Sequence, residues 1–186
     1  MSNPPTTPDG LYNDLGTFGF NFLVLISVWM RYTRVMSVLP LENRWTSLLN
    51  TLLLFDVSIE PFLFNILRSV NGTTPAEAPL LEAATSLYGV DLGGAMLIMG
   101  IFTVIVSDED RKLIPKDIIR EFRIEAVSWT VCACIFLVSA LPVTGRVGLD
   151  GTSLRNLLWV SALGVFWVGR ALKRVKSGAP AGQDNP

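Results

Sequence analysis

The sequence predicts an all-α integral membrane protein, a bundle of five transmembrane helices with the N-terminus outside and the C-terminus in the cytoplasm. Three observations support this fold class. Half of the 186 residues are hydrophobic and only 17% are charged, a composition typical of membrane proteins and of one small bundle. Five segments approach the roughly 20 apolar residues that a helix needs to cross a bilayer. The basic residues are distributed unevenly between the connections, and this predicts the orientation.

The five predicted spans follow one another along a single transmembrane domain. Span A ends in Arg31 and Arg34, and span E is flanked by Arg155 and Arg170. Long arginine side chains near helix ends are expected to reach the membrane surface. Span D is expected to stop near Pro142. The predicted bounds are 15–36 for span A, 45–67 for span B, 83–106 for span C, 126–144 for span D and 154–172 for span E, within a domain of 15–176.

Three segments lie outside the spans. Residues 1–14 are predicted to form an extracellular tail, and residues 177–186, rich in Gly, Pro, Ala and polar side chains, are predicted to be disordered. In residues 113–125, apolar residues recur every four positions among charges. That pattern predicts either an amphipathic helix on the cytoplasmic membrane surface or a solvated extension of span D.

The basic residues predict the orientation of the bundle. Of the fifteen, Arg68, Arg146 and Arg155 fall on the side that holds the N-terminus, the B–C connection and the D–E connection. The other twelve fall around the A–B connection, the C–D connection and the C-terminus. Because basic residues concentrate on the cytoplasmic side, this partition places the C-terminus inside and the N-terminus outside. Five spans fit the partition, whereas four or six would mix the two groups.

Several classes of site are not indicated by the sequence. The chain has no histidine, and a net charge of −1 gives no electrostatic argument for nucleic acid. We see no phosphate-binding glycine loop, no metal-ligand cluster and no nucleophile–base set, so we expect neither an enzyme nor a cofactor. Cys132 and Cys134 point about 200° apart on a helix and are expected to be buried packing residues. Gly89 and Gly93 form a GxxxG pair, more often a packing feature than a functional one.

Span B carries the most informative residues, because Asp56 and Glu60 lie one helical turn apart inside a membrane-length apolar run. A carboxylate at bilayer depth costs about 2.5–3.5 kcal/mol, so such residues usually face a bundle interior, a cavity or a partner. Counted from the span ends, Asp56 lies about 16 Å deep, Glu60 about 22 Å and Asp91 of span C about 12 Å from the opposite side. Glu60 and Asp91 are therefore expected at similar depth. These three acids are the candidate ion pathway, although protonation or pairing within the bundle is an equally simple explanation.

Span B also has a second polar face. At 100° per residue, the side chains of Asn50, Thr51, Ser58, Pro61 and Asn65 fall almost opposite the two acids. A helix with lipid on one side is not expected to have two polar faces. We therefore expect span B to be enclosed, with one face in packing and the acid-bearing face towards a cavity or another subunit.

Span A contains the segment NFLVLISVW, ending at Trp29, and span B combines an asparagine, a leucine run and a Pro-Phe pair. In these segments the chain resembles the lysosomal-type transmembrane potassium channel family and its bacterial and archaeal relatives, and span A is similar to the family's second helix. Span B resembles the third helix, a match of asparagine, a leucine run, Phe, Val-Ser and Pro-Phe. The matching residues that we assign to the family scaffold are Trp29, Asn50, Phe55, Ser58, Pro61 and Phe62.

The resemblance implies a cation channel, or a channel subunit, of the potassium type. Residues 1–17 do not resemble the family's first helix, which lines the pore, and Asp56 and Glu60 replace apolar residues of the family. We therefore expect an incomplete or rebuilt pore. Two alternatives remain open: a proton-coupled transporter that uses the intramembrane acids, and a non-conducting membrane assembly protein.

The expected partners follow from the same argument. They are the lipid bilayer, monovalent cations, and further copies of the chain in a homo-oligomer or another chain that supplies a missing helix. The small size and the lack of a targeting segment favour a prokaryotic plasma (inner) membrane.

Overall fold

The computed structural model of the protein describes residues 8–39, 43–69, 77–146, 148–149 and 152–177. These residues are almost entirely helical. A single 3₁₀ turn lies at Glu109–Arg111, and a short antiparallel ladder joins two strands of two residues each. The elements in chain order are α1 (Pro8–Met36), α2 (Arg44–Ser69), α3 (Glu77–Val106), α4 (Lys116–Ser139), α5 (Pro142–Arg146), β1 (Gly148–Leu149), β2 (Thr152–Ser153) and α6 (Leu154–Ser177).

The helical membrane class predicted from the sequence is confirmed. Within the described residues, three helical stretches are long and apolar enough to cross a membrane, and they correspond to spans B, C and D. Spans A and E are also continuous helices, α1 and α6. Their crossing of the bilayer and the orientation of the termini remain predictions. The three qualifying stretches are Arg44–Leu67, Glu77–Val106 and Lys116–Ser139.

Several predicted span ends differ from the helix ends, since α3 begins six residues before span C and α6 ends five residues after span E. Residues 8–14, predicted as tail, form the first two turns of α1, while residues 1–7 lie outside the described residues. Span D was predicted to reach residue 144, but α4 ends at Ser139 and Pro142 opens the separate helix α5. The proline ring disfavours helical geometry in the preceding residue yet suits a first helical position, so the chain breaks and restarts there. Of the predicted disordered tail, Ser177 is the last residue of α6 and residues 178–186 lie outside the described residues.

Most of the amphipathic segment 113–125 is helical. From Lys116 onwards it belongs to α4 without a break, preceded by Pro115 at the N-cap. Its apolar side chains Ile119 and Phe122 are buried in the bundle. The segment is therefore a helical extension of span D, and its place at the membrane surface or in solvent remains a prediction.

Helix α3 lies at the centre of the bundle. It makes the most extensive contacts, with α4 on one side and α2 on the other, and α6 packs against α4. Tyr88, Met99, Phe102 and Val106 of α3 are almost completely buried. Because α3 is apolar over its whole circumference, this central position is the one its sequence suits.

Glycines allow α3 and α4 to approach closely. A Cβ added to Gly89 would lie 3.2 Å from the carbonyl oxygen of Phe136, and one added to Gly93 would lie 2.8 Å from Cγ of Leu137. The GxxxG pair is thus a packing surface, as small residues between membrane helices usually are.

The prediction for the two cysteines is half right. Cys132 is buried and its thiol donates to the carbonyl oxygen of Ala162 on α6, at 3.5 Å. Cys134 is exposed, so it is not a core residue. Both are free thiols.

Candidate functional site

The two acids of span B lie on the face of α2 that packs against α3. Glu60 is 1% exposed, and Asp56, one turn earlier, is half-buried. The carboxylate oxygen Oδ2 of Asp56 is 3.4 Å from the position that a Cβ would occupy on Gly94 of α3. Leu53 and Leu63 complete the same buried stripe. The acids therefore point into the α2–α3 interface.

Asp91 joins this group from α3. It is 9% exposed and lies within electrostatic range of both Asp56 and Glu60. The structure thus brings together the three acids that the sequence singled out, and we call Asp56, Glu60 and Asp91 the acid cluster. The three carboxyl groups are not spaced as the ligands of a metal centre are. Within the described residues, no three His, Cys, Asp or Glu side chains are arranged to hold a metal ion.

A tyrosine completes the cluster. The hydroxyl of Tyr88 donates to Oε1 of Glu60 across the helix interface, at 3.3 Å. Tyr88 was not among the predicted site residues, although its position three residues before Asp91 puts both side chains on one helix face. From that spacing Tyr88 could have been predicted.

Tyr88 also links the acid cluster to the rest of the bundle through aromatic rings. Its ring centroid lies 6.1 Å from that of Phe64 on α2 and 5.5 Å from that of Trp159 on α6. The Trp159 ring lies 6.1 Å from Phe136 of α4. Rings at these separations attract one another and hold their positions. The row of four aromatic side chains therefore fixes Tyr88, and with it the hydroxyl that faces Glu60.

The acid-bearing face of α2 is covered by the neighbouring helix α3. The opposite polar face turns outwards instead, and Thr51, Ser58, Pro61 and Asn65 on that face are exposed. Our expectation for the acid-bearing face, a cavity or another subunit, was therefore wrong, because the two carboxyl groups pack inside the bundle of a single chain.

Of the family-scaffold residues, one takes part in a partly buried hydrogen bond between α1 and α2, and most of the others lie on the outer surface. Asn50 accepts a hydrogen bond of 2.9 Å from the hydroxyl of Tyr32 on α1, whose ring stacks on Trp29 at 5.5 Å. The Ser58 hydroxyl donates to the carbonyl oxygen of Leu54 in its own helix, at 2.6 Å. The remaining scaffold residues are Phe55, Pro61 and Phe62, which are exposed on α2.

Arg155, which we expected to reach out to the membrane surface, is instead buried against neighbouring helices. It is 3% exposed, and its guanidinium pairs with Glu82 of α3 at 2.8 Å. Its Nε also donates to the carbonyl oxygen of Ser139 at the end of α4, at 2.9 Å. The Thr144 hydroxyl donates to the same oxygen at 2.8 Å, and Trp159 Nε1 donates to the Ser139 hydroxyl at 2.8 Å. These groups tie α3, α4, α5 and α6 together.

A second set of charges joins α1 to α4. Arg31 forms an ion pair with Glu125, and Arg34 lies 3.7 Å from Glu121. Both guanidinium groups lie over the ring of Phe122, at 5.3 and 5.1 Å from its centroid. A cation over an aromatic face is attracted by the ring quadrupole. Arg31 and Arg34 are thus contact residues between helices, a role that snorkelling alone does not describe.

Chemically, three carboxyl groups held between two helices favour protons, cations or other groups that compensate negative charge, because burial makes an uncompensated charge costly. The Tyr88 hydroxyl is able both to donate and to accept a hydrogen bond and so to pass a proton. No family model, no curated protein and no solved structure matches this chain.

Proposed function

We propose that this chain is an integral membrane protein that moves monovalent cations, as a channel of the potassium type or a subunit of one, and that the acid cluster attracts the cation. The observation that carries the proposal is the convergence of Asp56, Glu60 and Asp91 on one buried interface between two membrane-length helices. Ionisable residues inside a membrane are costly, and where they occur they usually mark ion paths or proton relays.

The cluster acts through its charge in this proposal. A ring or pair of acids raises the local concentration of cations without stripping their hydration shell, as in cation channels with acidic rings. This fits a set of carboxyl groups that share an electrostatic field and are not arranged around one metal ion. Since the cluster is closed off by α3, the conducting path would open at the α2–α3 interface or form between copies in a homo-oligomer.

The proposed membrane architecture has five spans in a prokaryotic plasma membrane. Helices α1 and α6 have 29 and 24 residues. At 1.5 Å per residue they measure about 43 and 36 Å, and both lengths exceed the hydrocarbon core of about 30 Å. Together with the charge partition, these lengths support an outside N-terminus and a cytoplasmic C-terminus.

A second candidate, proton-coupled transport, is favoured by one specific contact. Glu60 is enclosed and its carboxylate accepts a hydrogen bond from Tyr88. A hydrated potassium ion has no room beside a side chain that is 1% exposed, whereas a proton does. In this alternative, Tyr88 and Glu60 relay a proton, and the movement of the proton down its gradient drives the transport of another solute.

Flux measurements on purified protein in liposomes test both candidates. In Glu60→Gln the side chain keeps its shape and still accepts from Tyr88 but loses its charge. We expect cation flux to fall about tenfold or more, because the substitution removes one of the negative charges that attract the cation. Asp117→Asn, an exposed acid on the first turn of α4, is the matched control and should stay near wild type.

The outcomes separate the candidates. A potassium leak that needs no gradient of another solute supports the channel. Most of that leak should then persist in the Tyr88→Phe variant. Flux of protons alone, lost in Tyr88→Phe as well as in Glu60→Gln, supports the relay. Absence of flux for every cation contradicts both and leaves a non-conducting assembly protein.

A further inference from the structure

A groove of about 630 Å³ runs along the outer surface of the bundle between α4 and α6. It is separate from the acid cluster, and nothing in the cation-flux proposal uses it. Its volume lies within the range of about 300–1,000 Å³ that is usual for ligand sites. Among the residues that line it are Val127, Ser128 and Val131 from α4, and Ser161, Gly164 and Val165 from α6.

The groove opens towards the surroundings of the bundle. Val127 and Val131 are exposed, as is Val168 on the opposite wall. On a membrane-length helix, exposed valines of this kind face hydrocarbon. The groove extends about 12 Å along α4 between Arg123 and Val131. A long apolar groove in contact with hydrocarbon suits an acyl chain.

One end of the groove is basic. Arg123 lines it there, and Arg120 lies one turn earlier on α4. The two helices run in opposite directions, because Arg155 at the start of α6 contacts Ser139 at the end of α4, and Cys132 contacts Ala162 further along. The C-terminal end of α6, which carries Arg170, Lys173 and Arg174 in the sequence, therefore lies at the same end.

We propose that the α4–α6 groove holds one acyl chain of an anionic phospholipid, with the phosphate of its headgroup at Arg123. Basic residues between membrane helices at the cytoplasmic surface bind anionic headgroups, and the charge partition assigns this end to the cytoplasm. Arg123 is already paired with Glu109 at 2.7 Å, but both side chains are more than half exposed. Exposed ion pairs contribute little, and the guanidinium has further donors for a phosphate.

Charge also distinguishes the lipid from a second copy of the chain. In a two-fold symmetric dimer of membrane proteins, the same patch of each copy meets across the axis. A dimer through this groove would bring the basic ends of two chains together, which is repulsive. An anionic headgroup neutralises that end instead.

The substitution Gly164→Leu tests the acyl-chain part of the proposal. A Cβ at Gly164 meets nothing within 4 Å, so a leucine there fills the groove without disturbing the fold. Gly19→Leu on α1 is the matched control, because a Cβ there also meets nothing within 4 Å. The measurement is native mass spectrometry of protein purified with equal amounts of phosphatidylglycerol and phosphatidylcholine.

For wild type and Gly19→Leu we expect one phosphatidylglycerol retained per chain, with a preference over phosphatidylcholine of about tenfold, the effect of a charge-assisted contact. Gly164→Leu should lose that lipid at an unchanged thermal midpoint. Arg123→Gln should keep a lipid but lose the preference, whereas Arg111→Gln, an exposed arginine of the 3₁₀ turn, should keep both.

Three results would overturn the proposal. One is equal retention of phosphatidylglycerol by wild type and Gly164→Leu. Another is equal retention of the two lipids by wild type. The third is a change of oligomeric state in Gly164→Leu with lipid retention unaffected, which would assign the groove to a second copy.

Discussion

At the scale of single residues, Arg155 concentrates more interactions than any other charged side chain described above. It neutralises Glu82 and also caps the end of α4 through the carbonyl oxygen of Ser139. The last carbonyl groups of a helix lack partners within the helix, and in a membrane an unpaired carbonyl is costly. Arg155 therefore holds an otherwise unfavourable helix end inside the protein.

Removal of Arg155 should destabilise the protein. We expect Arg155→Ala to lower the free energy of unfolding by about 1.5–3 kcal/mol, because it removes the charged partner of Glu82 and one of the two donors to the carbonyl oxygen of Ser139. Arg155→Lys should recover only part of this, since an ammonium group cannot reproduce the fork of the guanidinium. Thermal unfolding in detergent measures the effect.

The control for this prediction is Arg111→Ala. Arg111 pairs with Asp108 at 3.3 Å, but both side chains are almost half exposed. Its loss should shift the unfolding midpoint very little. Equal midpoints for Arg155→Ala and Arg111→Ala would contradict the structural role given to Arg155.

The sequence could not reveal this role. An arginine just inside a predicted span is ordinarily interpreted as a snorkelling residue. What makes Arg155 different is that α4 ends at Ser139 and Glu82 lies beside it, and neither fact is local to α6. The convergence of the acids was easier to anticipate, because depth along a helix follows from residue number alone.

At the scale of elements, the close contact of α3 with α4 depends on glycine. A Cβ on Gly93 would lie 2.8 Å from Cγ and 3.2 Å from the backbone nitrogen of Leu137. The side chain of Leu137 is able to move, but the backbone nitrogen moves only with α4. An alanine at position 93 therefore pushes the two helices apart or forces Leu137 into a poor rotamer.

We expect Gly93→Ala to lower the free energy of unfolding by about 1–3 kcal/mol, the usual effect of overpacking. Leu137→Ala should rescue part of the loss, because it removes the nearest side-chain atoms. A double-mutant cycle from thermal or denaturant unfolding gives the coupling between the two positions.

Gly19→Ala is the matched control for the α3–α4 contact. It introduces the same methyl group where nothing lies within 4 Å, so its stability should be unchanged or higher. If Gly93→Ala were as stable as Gly19→Ala, the close approach of α3 and α4 would not depend on glycine.

Helix positions were more predictable from the sequence than helix contacts. Length and apolarity located spans B, C and D, since these properties are local. Which face of each helix meets which neighbour is not local, because lipid and protein interior are equally apolar. Polar side chains did not resolve this on α2, because the face with Asp56 and Glu60 is buried whereas the polar face with Thr51 and Ser58 is exposed.

At the scale of the whole molecule, polar contacts occupy three levels of the bundle. Arg155 and Glu82 lie at the end where α4 stops and α6 begins. The acid cluster lies between α2 and α3, and Arg31 with Glu125 lies towards the end where α1 stops. Charges at the two ends connect helices, whereas the cluster between them gathers like charges. This contrast is why we assign the proposed function to the acid cluster and a stabilising role to the ion pairs at the two ends.

The number of spans is testable by cysteine accessibility in a background with Cys132 and Cys134 replaced. Single cysteines at Asn43 and Asp110 should react with an impermeant maleimide only after permeabilisation, and one at Ser69 should react in intact cells. These three positions report on α2, α3 and α4. The side of the membrane expected for each of these three cysteines does not depend on whether α1 and α6 cross it.

The two ends of the chain decide between five spans and three. If α1 crosses the bilayer, a cysteine at Pro8 lies outside and reacts in intact cells, as Ser69→Cys does. If α1 lies along the membrane, Pro8→Cys shares the cytoplasmic side with Asn43→Cys. Likewise, Ser177→Cys is protected if α6 crosses and accessible if it does not. Protection of Pro8→Cys or reaction of Ser177→Cys in intact cells would contradict the five-span architecture. In that case only Asp110→Cys would show on which side of the membrane the basic end of the α4–α6 groove lies.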